Sequence, residues 1–406
     1  MYRAEKCRKK LHEAGVPPEV ASQFMRAHKK LMSSGLRSTP EAHIAPLSHV
    51  RPYESIPNPS RDDVRRILPQ AIVLKLNGGL GTSMDLDSPK GLLHVKEGLT
   101  FLDIAIKQVE QMEHRYGTDI RFMLMNSYRT SAETMEYLDT HHTGKFPAVN
   151  ELMQYKYPRI DAETFEPIDI DGRDDLSWSP GGHGDFFEAL VYSGKLHRLV
   201  ESGYKYLFVS SIDNCNAVLD ASILCDFASS SDPVRMEVCR REPDDRKGGH
   251  LAYRRKDQRI ILRERSQCPP EECSEFDNIT RHIFFNTNNI WLNLEILDRL
   301  YQSGRPIHLP YIHTRRSLCL GNGRTAAVIQ MEKVIGSVIS VFSRVEYVLA
   351  VPRGRFLPVK HWADLVAIRS DRYRLDPSDY RLIEVAGNDA HGNGSRILNE
   401  CRLVLP

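Results

Sequence analysis

The chain has 406 residues, of which 41% are hydrophobic and 27% charged, and its formal net charge is +2 at pH 7. This length allows one large domain or two to three ordinary ones, and the apolar fraction is sufficient for a packed core. The near-zero net charge argues against a nucleic-acid-binding protein, because such proteins usually carry a concentrated basic excess.

A membrane or disulfide-rich protein is also not expected. No segment approaches the ~18 consecutive apolar residues of a membrane span, and the N-terminus MYRAEKCRKKLHEAG lacks the apolar centre of a signal peptide. The eight cysteines are scattered without a CxxC pair. This spacing argues against a zinc site or a disulfide framework and favours a reduced, cytoplasmic setting.

Residues 1–68 are predicted to form an N-terminal helical segment followed by a surface linker. Two amphipathic helices are expected up to about residue 36, with Pro17-Pro18 and Gly35 as breakers. The Pro- and Ser-rich stretch from about 37 to 68 is expected to run over the surface.

From residue 71 onward, strand and helix patterns alternate, which predicts parallel βαβ units. The strand-like segments are AIVLKL, RFMLMNS and KYLFVSSID, and the helical ones are FLDIAIKQVEQM, SAETMEYLDT and ASILCDFASS. Between about 233 and 292, MEVCR and HIFFN indicate an antiparallel extension. We therefore assign residues 69–365 to an α/β domain with a mixed central sheet flanked by helices, and residues 366–406 to a short C-terminal region.

The stretch KLNGGLGTSMDLDSPKG, from Lys75 to Gly91, follows the first of these strands. Its glycines permit turns that aim several backbone N–H groups at one anion. The stretch is neither a P-loop, because Lys90 lies between Pro89 and Gly91, nor a dinucleotide fingerprint, because Met84 replaces the third glycine. It is therefore either a plain tight turn or a phosphate cradle to which Lys90 brings a positive charge.

LNGGLGTSM followed by Pro89-Lys90 resembles the signature of the UTP–glucose-1-phosphate uridylyltransferases, also called UDP-glucose pyrophosphorylases. Further blocks occur in family order across roughly residues 70 to 385: FLD at 101–103, LMNS at 124–127, Gln154 with YPR at 157–159, GHGD at 182–185, IDN at 212–214, KGG at 247–249, FNTNN at 285–289, VIQ at 328–330 and RFLPVK at 355–360. The resemblance implies that residues 69–365 form a Rossmann-like, GT-A-like nucleotidyltransferase domain. It also implies transfer of a uridylyl group from UTP to a sugar 1-phosphate, with glucose 1-phosphate favoured and pyrophosphate released.

The resemblance implies that Lys90 and Lys360 are the catalytic residues and contact phosphate groups. Asp213 is expected to bind Mg²⁺, because it closes a parallel strand at the edge where open α/β sheets bind ligands. Capping of the following helix is the alternative use of this carboxylate. The reaction needs no covalent intermediate, so no nucleophilic side chain is expected.

Two further groups of residues follow from the resemblance. The expected nucleotide-binding residues are Leu76, Asn77, Gly78, Gly79, Gly81, Thr82, Gln154 and Gly182. The glutamine amide offers a donor and an acceptor side by side, which can pair with a pyrimidine edge. The expected sugar-phosphate-binding residues are His183, Ser211, Asn214, Gly249, Glu264, Asn286 and Asn288. The amides of Asn286 and Asn288 are expected on one side of a strand, facing a sugar or forming a cross-strand ladder.

The sequence departs from the family pattern at three places. These are Asp85 with the insert Leu86-Asp87-Ser88, Ser211 in place of an asparagine, and Cys215-Asn216 in place of a Leu-Gly pair. All three are expected to surround the ligands, which keeps two alternatives open: the same chemistry on another hexose 1-phosphate or a cyclitol phosphate, with UTP or with a different nucleotide, or a non-catalytic nucleotide-sugar-binding relative. After position 385 about twenty polar-leaning residues follow, so assembly through the C-terminal β-helix of the family is not expected.

Overall fold

The computed structural model describes residues 2–36, 38–81, 84, 86–144, 150–170, 172–245, 248–321, 324–342 and 347–385. Within these ranges the helices are α1 (Tyr2–Glu13), α2 (Pro18–Ser34), α3 (Arg61–Ile67), α4 (Phe101–Tyr116), α5 (Ser131–His141), α6 (Asp174–Ser177), α7 (Phe186–Tyr192), α8 (Lys195–Glu201), α9 (Ala221–Ser229), α10 (Cys273–Phe276), α11 (Leu294–Gln302) and α12 (Trp362–Arg369). The strands are β1 (Ile44–Pro46), β2 (Arg51–Pro52), β3 (Ala71–Leu76), β4 (His94–Lys96), β5 (Leu99–Thr100), β6 (Arg121–Asn126), β7 (Glu151–Met153), β8 (Lys156–Pro158), β9 (Ile160–Asp161), β10 (Trp178–Pro180), β11 (Tyr206–Ser211), β12 (Val234–Arg240), β13 (His250–Arg254), β14 (Arg259–Arg263), β15 (Phe284–Asn293), β16 (Tyr311–Gly321), β17 (Arg324–Lys333), β18 (Leu349–Ala350), β19 (Tyr373–Leu375) and β20 (Leu382–Glu384).

The central element is an eleven-stranded mixed sheet whose main path runs β2-β18-β12-β15-β11-β3-β6-β7. Strand β3 pairs in parallel with β11 and β6, whereas β15 runs antiparallel to β11 and β12. The hairpin of β13 and β14 attaches to β15, and β1 attaches to β13. The predicted mixed α/β sheet, with parallel βαβ units and an antiparallel extension between residues 233 and 292, is confirmed.

Strand β3 is buried along its whole length because both of its faces are covered. Val73 packs with residues that include Phe101 of α4, whereas Ile72 and Leu74 pack with residues that include Phe186 of α7. Alternation along an extended strand sends successive side chains into these two layers. The unbroken apolar segment AIVLKL thus places its carboxyl end, where the glycine-rich loop starts, at the centre of the sheet.

The two predicted N-terminal helices are present as α1 and α2 and pack onto the rest of the molecule. The ring of Phe24 in α2 stacks on Tyr157 at a centroid distance of 5.2 Å and meets Tyr311 edge-on at 5.8 Å. The interpretation of residues 37–68 as only a surface linker is wrong, because this stretch supplies β1, β2 and α3. Both strands are too short to leave a periodic pattern in the sequence, and they form because β13 and β18 offer partner edges.

The predicted boundary between residues 365 and 366 falls inside helix α12, so the C-terminal region does not begin there. The hairpin of β19 and β20 follows and is attached to the sheet through Asn216, whose amide exchanges hydrogen bonds of 2.8 Å with the main chain of Leu382. Residues 386–406, on which the prediction of a short polar tail falls, lie outside the described residues.

Among the described residues, no helix combines the length and apolar character that a membrane crossing requires.

Candidate active site

The glycine-rich loop leaves β3 at the carboxyl edge of the sheet and returns to it at Lys90. The Ser127 hydroxyl donates to the carbonyl oxygen of Gly78 at 2.8 Å, and the Lys90 N–H donates to that of Gly79 at 3.3 Å. Gly81 has φ +66°, and a Cβ atom there would stand 3.4 Å from Cδ of Lys90. The glycines therefore let the loop lie directly on the lysine stem. Thr82 lies outside the described residues.

Three charged side chains converge beside this loop. Lys90 Nζ donates to Oδ2 of Asp213 at 2.8 Å, and Lys360 Nζ donates to the same oxygen at 2.9 Å. Lys90 also donates to the carbonyl oxygen of Val359. The Lys90 side chain is 9% exposed and that of Lys360 is 56% exposed, so one amine is held inside the protein and the other faces solvent. Two lysines that lie far apart in sequence therefore converge on the carboxylate that follows β11.

Main-chain contacts bring the Lys360 segment to the end of β11. The Val359 N–H donates to the Asp213 carbonyl oxygen at 3.0 Å, and the Leu357 N–H donates to Oδ1 of Asn214 at 3.0 Å. The Asn214 amide in turn donates to the carbonyl oxygen of Arg355 at 3.2 Å. These contacts join segments that lie far apart in sequence, and they give both lysines their common partner.

The electrostatics of Asp213 follow from this arrangement. Burial alone would raise the pKa of the carboxyl group, but Lys360 and Lys90 outweigh burial and hold that pKa well below its usual range. Oδ1 of Asp213 is buried and has no hydrogen-bond partner in the described part of the chain. An unpartnered carboxylate oxygen fits one Mg²⁺ ligand position, because Mg²⁺ takes few protein ligands when phosphates and waters supply the others. The described residues contain no cluster of three or more His, Cys, Asp or Glu side chains that would hold a metal by themselves.

His183 lies close enough to this cluster for the charges of Lys360 and Asp213 to shift its pKa. Burial and, to a lesser degree, Lys360 lower its pKa to about 4, while Asp213 opposes the shift. Nδ1 accepts a hydrogen bond of 3.1 Å from the Ile335 N–H. The imidazole is therefore neutral at pH 7 with its proton on Nε2, which leaves that nitrogen as a hydrogen-bond donor.

Gln154 lies against Gly78, as its predicted base-reading role requires. A Cβ atom on Gly78 would stand 1.7 Å from Nε2 of Gln154, so a side chain here would displace the Gln154 amide. Oε1 of Gln154 is buried and has no hydrogen-bond partner among the described residues. Gly182 has φ +86°, and its neighbour Gly181 donates to the carbonyl oxygen of Tyr155 at 2.9 Å, which brings the segment around Gly182 beside Gln154.

Four of the predicted sugar-phosphate residues form a second group. The Asn286 N–H donates to the carbonyl oxygen of Gly249 at 3.0 Å, and a Cβ atom on Gly249 would meet the Glu264 carboxylate at 2.7 Å. Asn286 donates its amide to Oδ1 of Asn288 at 2.9 Å. Burial raises the pKa of Glu264 to about 7. The turn after β17 links this group to His183, because Gly336 packs against the Asn286 amide while Ile335 contacts His183.

The contact between Asn286 and Asn288 does not arise from regular strand alternation. Asn288 has φ +59°, and the register between β12 and β15 shifts between Met236 and Val238. A β-bulge in β15 therefore turns the two amides toward each other. The prediction that the two amides lie together agrees with the structure, whereas the regular alternation from which it was derived is absent.

Several expected positions have a different environment from the one predicted. The Asn77 amide donates to Asn126 at 2.8 Å and to Thr134 at 3.1 Å, so it holds the loop to β6 and α5. The Asn214 side chain is hydrogen-bonded to the main chain of the Lys360 segment, at Arg355 and Leu357. Leu76 is buried in the sheet, and Ser211 beside it is half-buried at the last position of β11.

The expectation that all three family departures surround the ligands is wrong for Cys215-Asn216. Cys215 is 4% exposed within the core, and Asn216 binds the main chain of Gly354 and Leu382. Asp87 is exposed, and Asp85 lies outside the described residues.

Two supporting residues were missed by the sequence reasoning. Arg355 donates to both carboxylate oxygens of the buried Glu237, at 2.8 and 3.1 Å, and so anchors the Lys360 segment to β12. A glutamate inside the apolar strand segment MEVCR is a signal that could have indicated a buried ion pair. The second residue, Asp364, accepts hydrogen bonds from the N–H groups of Lys360 and His361 at 2.7 and 2.8 Å. The H-x-x-D spacing could have indicated this helix cap.

A glycine-rich loop, two lysines and a carboxylate at the carboxyl edge of parallel strands together define an α/β protein built to bind a polyphosphate ligand.

Comparison with known proteins specifies the class. The family model UTP--glucose-1-phosphate uridylyltransferase matches residues 21–386. The enzyme of that name from Solanum tuberosum is 36% identical over 350 residues, which cover 85% of this chain and 70% of the relative. The one from Saccharomyces cerevisiae is 37% identical over 317 residues, 78% of this chain and 62% of the relative.

Solved structures agree with this result. UDP-glucose phosphorylase from Trypanosoma brucei superposes with a TM-score of 0.89 at 38% identity, covering 95% of this chain and 82% of the other. A point mutant of UDP-glucose pyrophosphorylase from Leishmania major, in complex with UDP-glucose, superposes with a TM-score of 0.87 at 37% identity and the same coverage. The chain therefore belongs to the UTP–glucose-1-phosphate uridylyltransferase family, as its sequence blocks predicted.

Proposed function

We propose that this chain transfers a uridylyl group from UTP to glucose 1-phosphate, giving UDP-glucose and pyrophosphate. Membership of the uridylyltransferase family supports this reaction. The observation that carries the proposal is the meeting of Lys90 and Lys360 on Asp213 beside the glycine-rich loop. A protein that only stored or sensed a nucleotide sugar would have no need of two amines focused on one point.

The reaction exchanges one phosphoanhydride for another. A phosphate oxygen of glucose 1-phosphate attacks the α-phosphorus of UTP in line, and pyrophosphate leaves. The attacking oxygen is already anionic, so the reaction needs neither a nucleophilic side chain nor a general base. Catalysis then depends on holding the two phosphates in line and on stabilising negative charge.

Lys90 and Lys360 are the residues proposed to stabilise that charge. With Asp213 ionised, the three side chains carry a net charge of +1 before substrate binds. An incoming triphosphate competes with Asp213 for the amines, and phosphate is the stronger partner because it presents more negative charge. Lys90 is buried on the loop and is suited to one fixed phosphate position, whereas the more exposed Lys360 can follow a moving group.

The remaining residues are proposed to orient the two substrates. Gln154, beside Gly78 and Gly182, offers its amide to the uracil edge. His183 presents its Nε2 proton between the charged cluster and the second group of residues. That second group (Gly249, Glu264, Asn286 and Asn288) borders the cavity for glucose, where Glu264 and the two amides can exchange hydrogen bonds with hydroxyl groups.

Asp213 is also the proposed protein ligand of Mg²⁺, through its unpartnered Oδ1. When bound there, the ion would supply positive charge that offsets the negative charge of the substrate phosphates. Removing divalent ions with EDTA is expected to abolish turnover, and adding Mg²⁺ in excess is expected to restore it.

A cytoplasmic location is proposed on chemical grounds. The described cysteines are all free thiols: Cys7, Cys215, Cys225, Cys239, Cys268, Cys273 and Cys319. Such a set fits a reducing compartment. Fractionation of the source cells with a cytoplasmic marker enzyme tests the proposal.

A substrate matrix tests the proposed reaction. Pyrophosphate release is measured with Mg²⁺ for each pairing of the four common nucleoside triphosphates with several sugar 1-phosphates and a cyclitol phosphate. We expect UTP with glucose 1-phosphate to give the highest kcat/KM. Highest turnover with another pair would contradict the assigned substrates, and no turnover with any pair would contradict the enzymatic assignment.

A further inference from the structure

The side chain of Trp362, the first residue of α12, contacts the glycine-rich loop. Its side chain is 43% exposed, which is unusual for a large aromatic ring. The indole N–H donates a hydrogen bond of 3.0 Å to the main-chain carbonyl oxygen of Met84. Met84 itself is 1% exposed, so the tryptophan holds a well-buried part of the loop.

The turn that carries Trp362 also carries Lys360. Asp364 accepts the N–H groups of Lys360 and His361 and so fixes the main chain immediately before the helix. The Lys360 amine extends from this turn to Asp213, whereas the indole extends from it to Met84. One capped turn therefore contacts both the strand end and the glycine-rich loop.

Contacts within the loop connect Met84 to Lys90. The Met84 N–H donates to the carbonyl oxygen of Gly81 at 2.7 Å. Gly81 lies on the stem of Lys90, where an added Cβ atom would stand 3.4 Å from Cδ. The position of the loop over Lys90 is thus tied, through Trp362, to the position of Lys360.

We infer that Trp362 is a positioning residue for the nucleotide. It holds the glycine-rich loop at the separation from Lys360 at which both can contact one polyphosphate chain. The inference rests on the proposed function, because it assigns the tryptophan to binding of the triphosphate substrate. Since Trp362 acts through the loop, its loss is expected to affect the nucleotide and not the sugar phosphate, whose second group of residues (Gly249, Glu264, Asn286 and Asn288) lies in β15 and beside the hairpin of β13 and β14.

Two substitutions and a neighbouring control test this role. Trp362→Phe keeps an aromatic ring and removes the hydrogen-bond donor, whereas Trp362→Ala removes both. Ala363→Ser changes the next exposed residue of the same turn. Loss of one hydrogen bond corresponds to an increase of about three- to tenfold in the Kd for UTP, measured by calorimetry, and in the KM for UTP. We expect kcat and the KM for glucose 1-phosphate to change by less than about twofold, and Ala363→Ser to behave like the parent.

Tryptophan fluorescence provides an independent signal. Trp178 is 6% exposed and Trp291 is fully buried, so the emission sensitive to solvent comes mainly from Trp362. Adding UTP without sugar phosphate is expected to change the emission of the parent protein, and this change is expected to vanish in Trp362→Phe even at saturating UTP.

The outcomes separate this inference from the proposed function. If the parent turns over UTP and glucose 1-phosphate but Trp362→Phe binds UTP as tightly as the parent does, Trp362 has no positioning role. If only Trp362→Ala weakens binding, the inferred hold through the hydrogen bond to Met84 is wrong, because ring packing would then be responsible. If the parent binds UTP but turns over no pair of substrates, the proposed function fails, while the calorimetric comparison of the variants still decides the role of Trp362.

Discussion

Lys90 is a buried lysine that lies at the proposed site, beside the glycine-rich loop. Its amine pairs with the Asp213 carboxylate and donates a hydrogen bond to the carbonyl oxygen of Val359, and its stem lies against the glycine-rich loop. Such a lysine is costly to place inside a protein unless its charge is used. Its environment thus supports a role in binding and stabilising phosphate, and its removal should affect turnover more than folding.

Lys90→Met is expected to lower kcat/KM for UTP by a factor of about 10² to 10³, since it removes one charge that stabilises the transition state. Pyrophosphate release under steady-state conditions measures the effect. Lys256→Met, at an exposed lysine of the β13–β14 turn, is the matched control and should leave kcat/KM unchanged. A Lys90→Met enzyme within about threefold of the parent would contradict the assigned role.

Glu264 makes the stability of the protein depend on pH. Burial raises its pKa to about 7 in the folded state, whereas the unfolded chain has the ordinary value of 4.5. Between these values the folded state binds more protons than the unfolded state, so the contribution of this residue to stability falls as pH rises. Above about pH 7 the full cost of the buried carboxylate is present.

Replacement of Glu264 by Gln removes this titration. We expect the free energy of unfolding of Glu264→Gln, relative to the parent, to increase between pH 5 and pH 8 by about 1 to 3 kcal/mol. Urea unfolding at several pH values measures it. A difference between the two proteins that stays constant with pH would show that Glu264 does not titrate in this range.

At the scale of the secondary-structure element, the glycine-rich loop depends on close approach to a neighbouring element. Gly78 leaves no room for a Cβ atom because Nε2 of Gln154 would lie 1.7 Å from it. Gly78→Ala must therefore displace the glutamine that is proposed to read the base. We expect the KM for UTP to rise by about tenfold or more.

Steady-state kinetics together with thermal unfolding measure the Gly78→Ala effect. Gly354→Ala is the matched control, because a Cβ atom there meets nothing within 4 Å. It should alter neither the KM for UTP nor the melting temperature. An unchanged KM for UTP in Gly78→Ala would place the base elsewhere.

The ring of Phe24 is one of the buried contacts that attach helix α2 to strands β8 and β16. Phe24 is fully buried against Tyr157 and Tyr311. Phe24→Ala is expected to lower the free energy of unfolding by about 3 to 5 kcal/mol. Met32→Ala, at a position of the same helix that is 36% exposed, should change it by less than about 0.5 kcal/mol. Equal effects of the two substitutions in urea unfolding would mean that α2 does not depend on this packing.

At the scale of the whole molecule, the buried ion pair of Glu237 and Arg355 connects the antiparallel part of the sheet to the segment that carries Lys360. Glu237 of β12 accepts hydrogen bonds from Arg355 and from Trp291 and Asn289 of β15. Arg355 also donates to the carbonyl oxygen of Val218 at 3.1 Å. The antiparallel extension, the loop after β11 and the Lys360 segment thus meet at the ion pair of Arg355 and Glu237.

Arg355→Met is expected to lower the free energy of unfolding by about 3 to 5 kcal/mol, because it leaves Glu237 buried without its cation. Glu237→Gln in the same background removes the unpaired negative charge and should recover part of the lost free energy of unfolding. A double-mutant cycle by urea unfolding measures the coupling. If the two losses simply add, the pair does not stabilise the folded protein as a unit.

Much of the fold, and the residue types that meet beside the glycine-rich loop, could be predicted from the sequence. The helices α4, α5 and α9 and the strands β3, β6 and β11 agree with the patterns of apolar residues, because each depends on neighbours within one or two turns or on alternation along a strand. The strands β1 and β2 could not be predicted, since they are two or three residues long and form only when a partner edge is present. The bulge at Asn288 was missed for a similar reason: its backbone conformation is set by the pairing with β12.

The sequence by itself determined the class of the molecule, the position of the glycine-rich loop after β3, and the identities of the two lysines and the aspartate. The loop follows from residue types and local backbone preferences, whereas the two lysines and the aspartate were singled out by the resemblance of the ordered motifs to the family. Only the tertiary structure decided that Asn77 and Asn214 support the site, that Cys215-Asn216 belong to the core, and that Trp362 holds the loop. The direction of a side chain and the choice of a main-chain carbonyl as its partner depend on segments far apart in sequence, which become neighbours only when the chain folds.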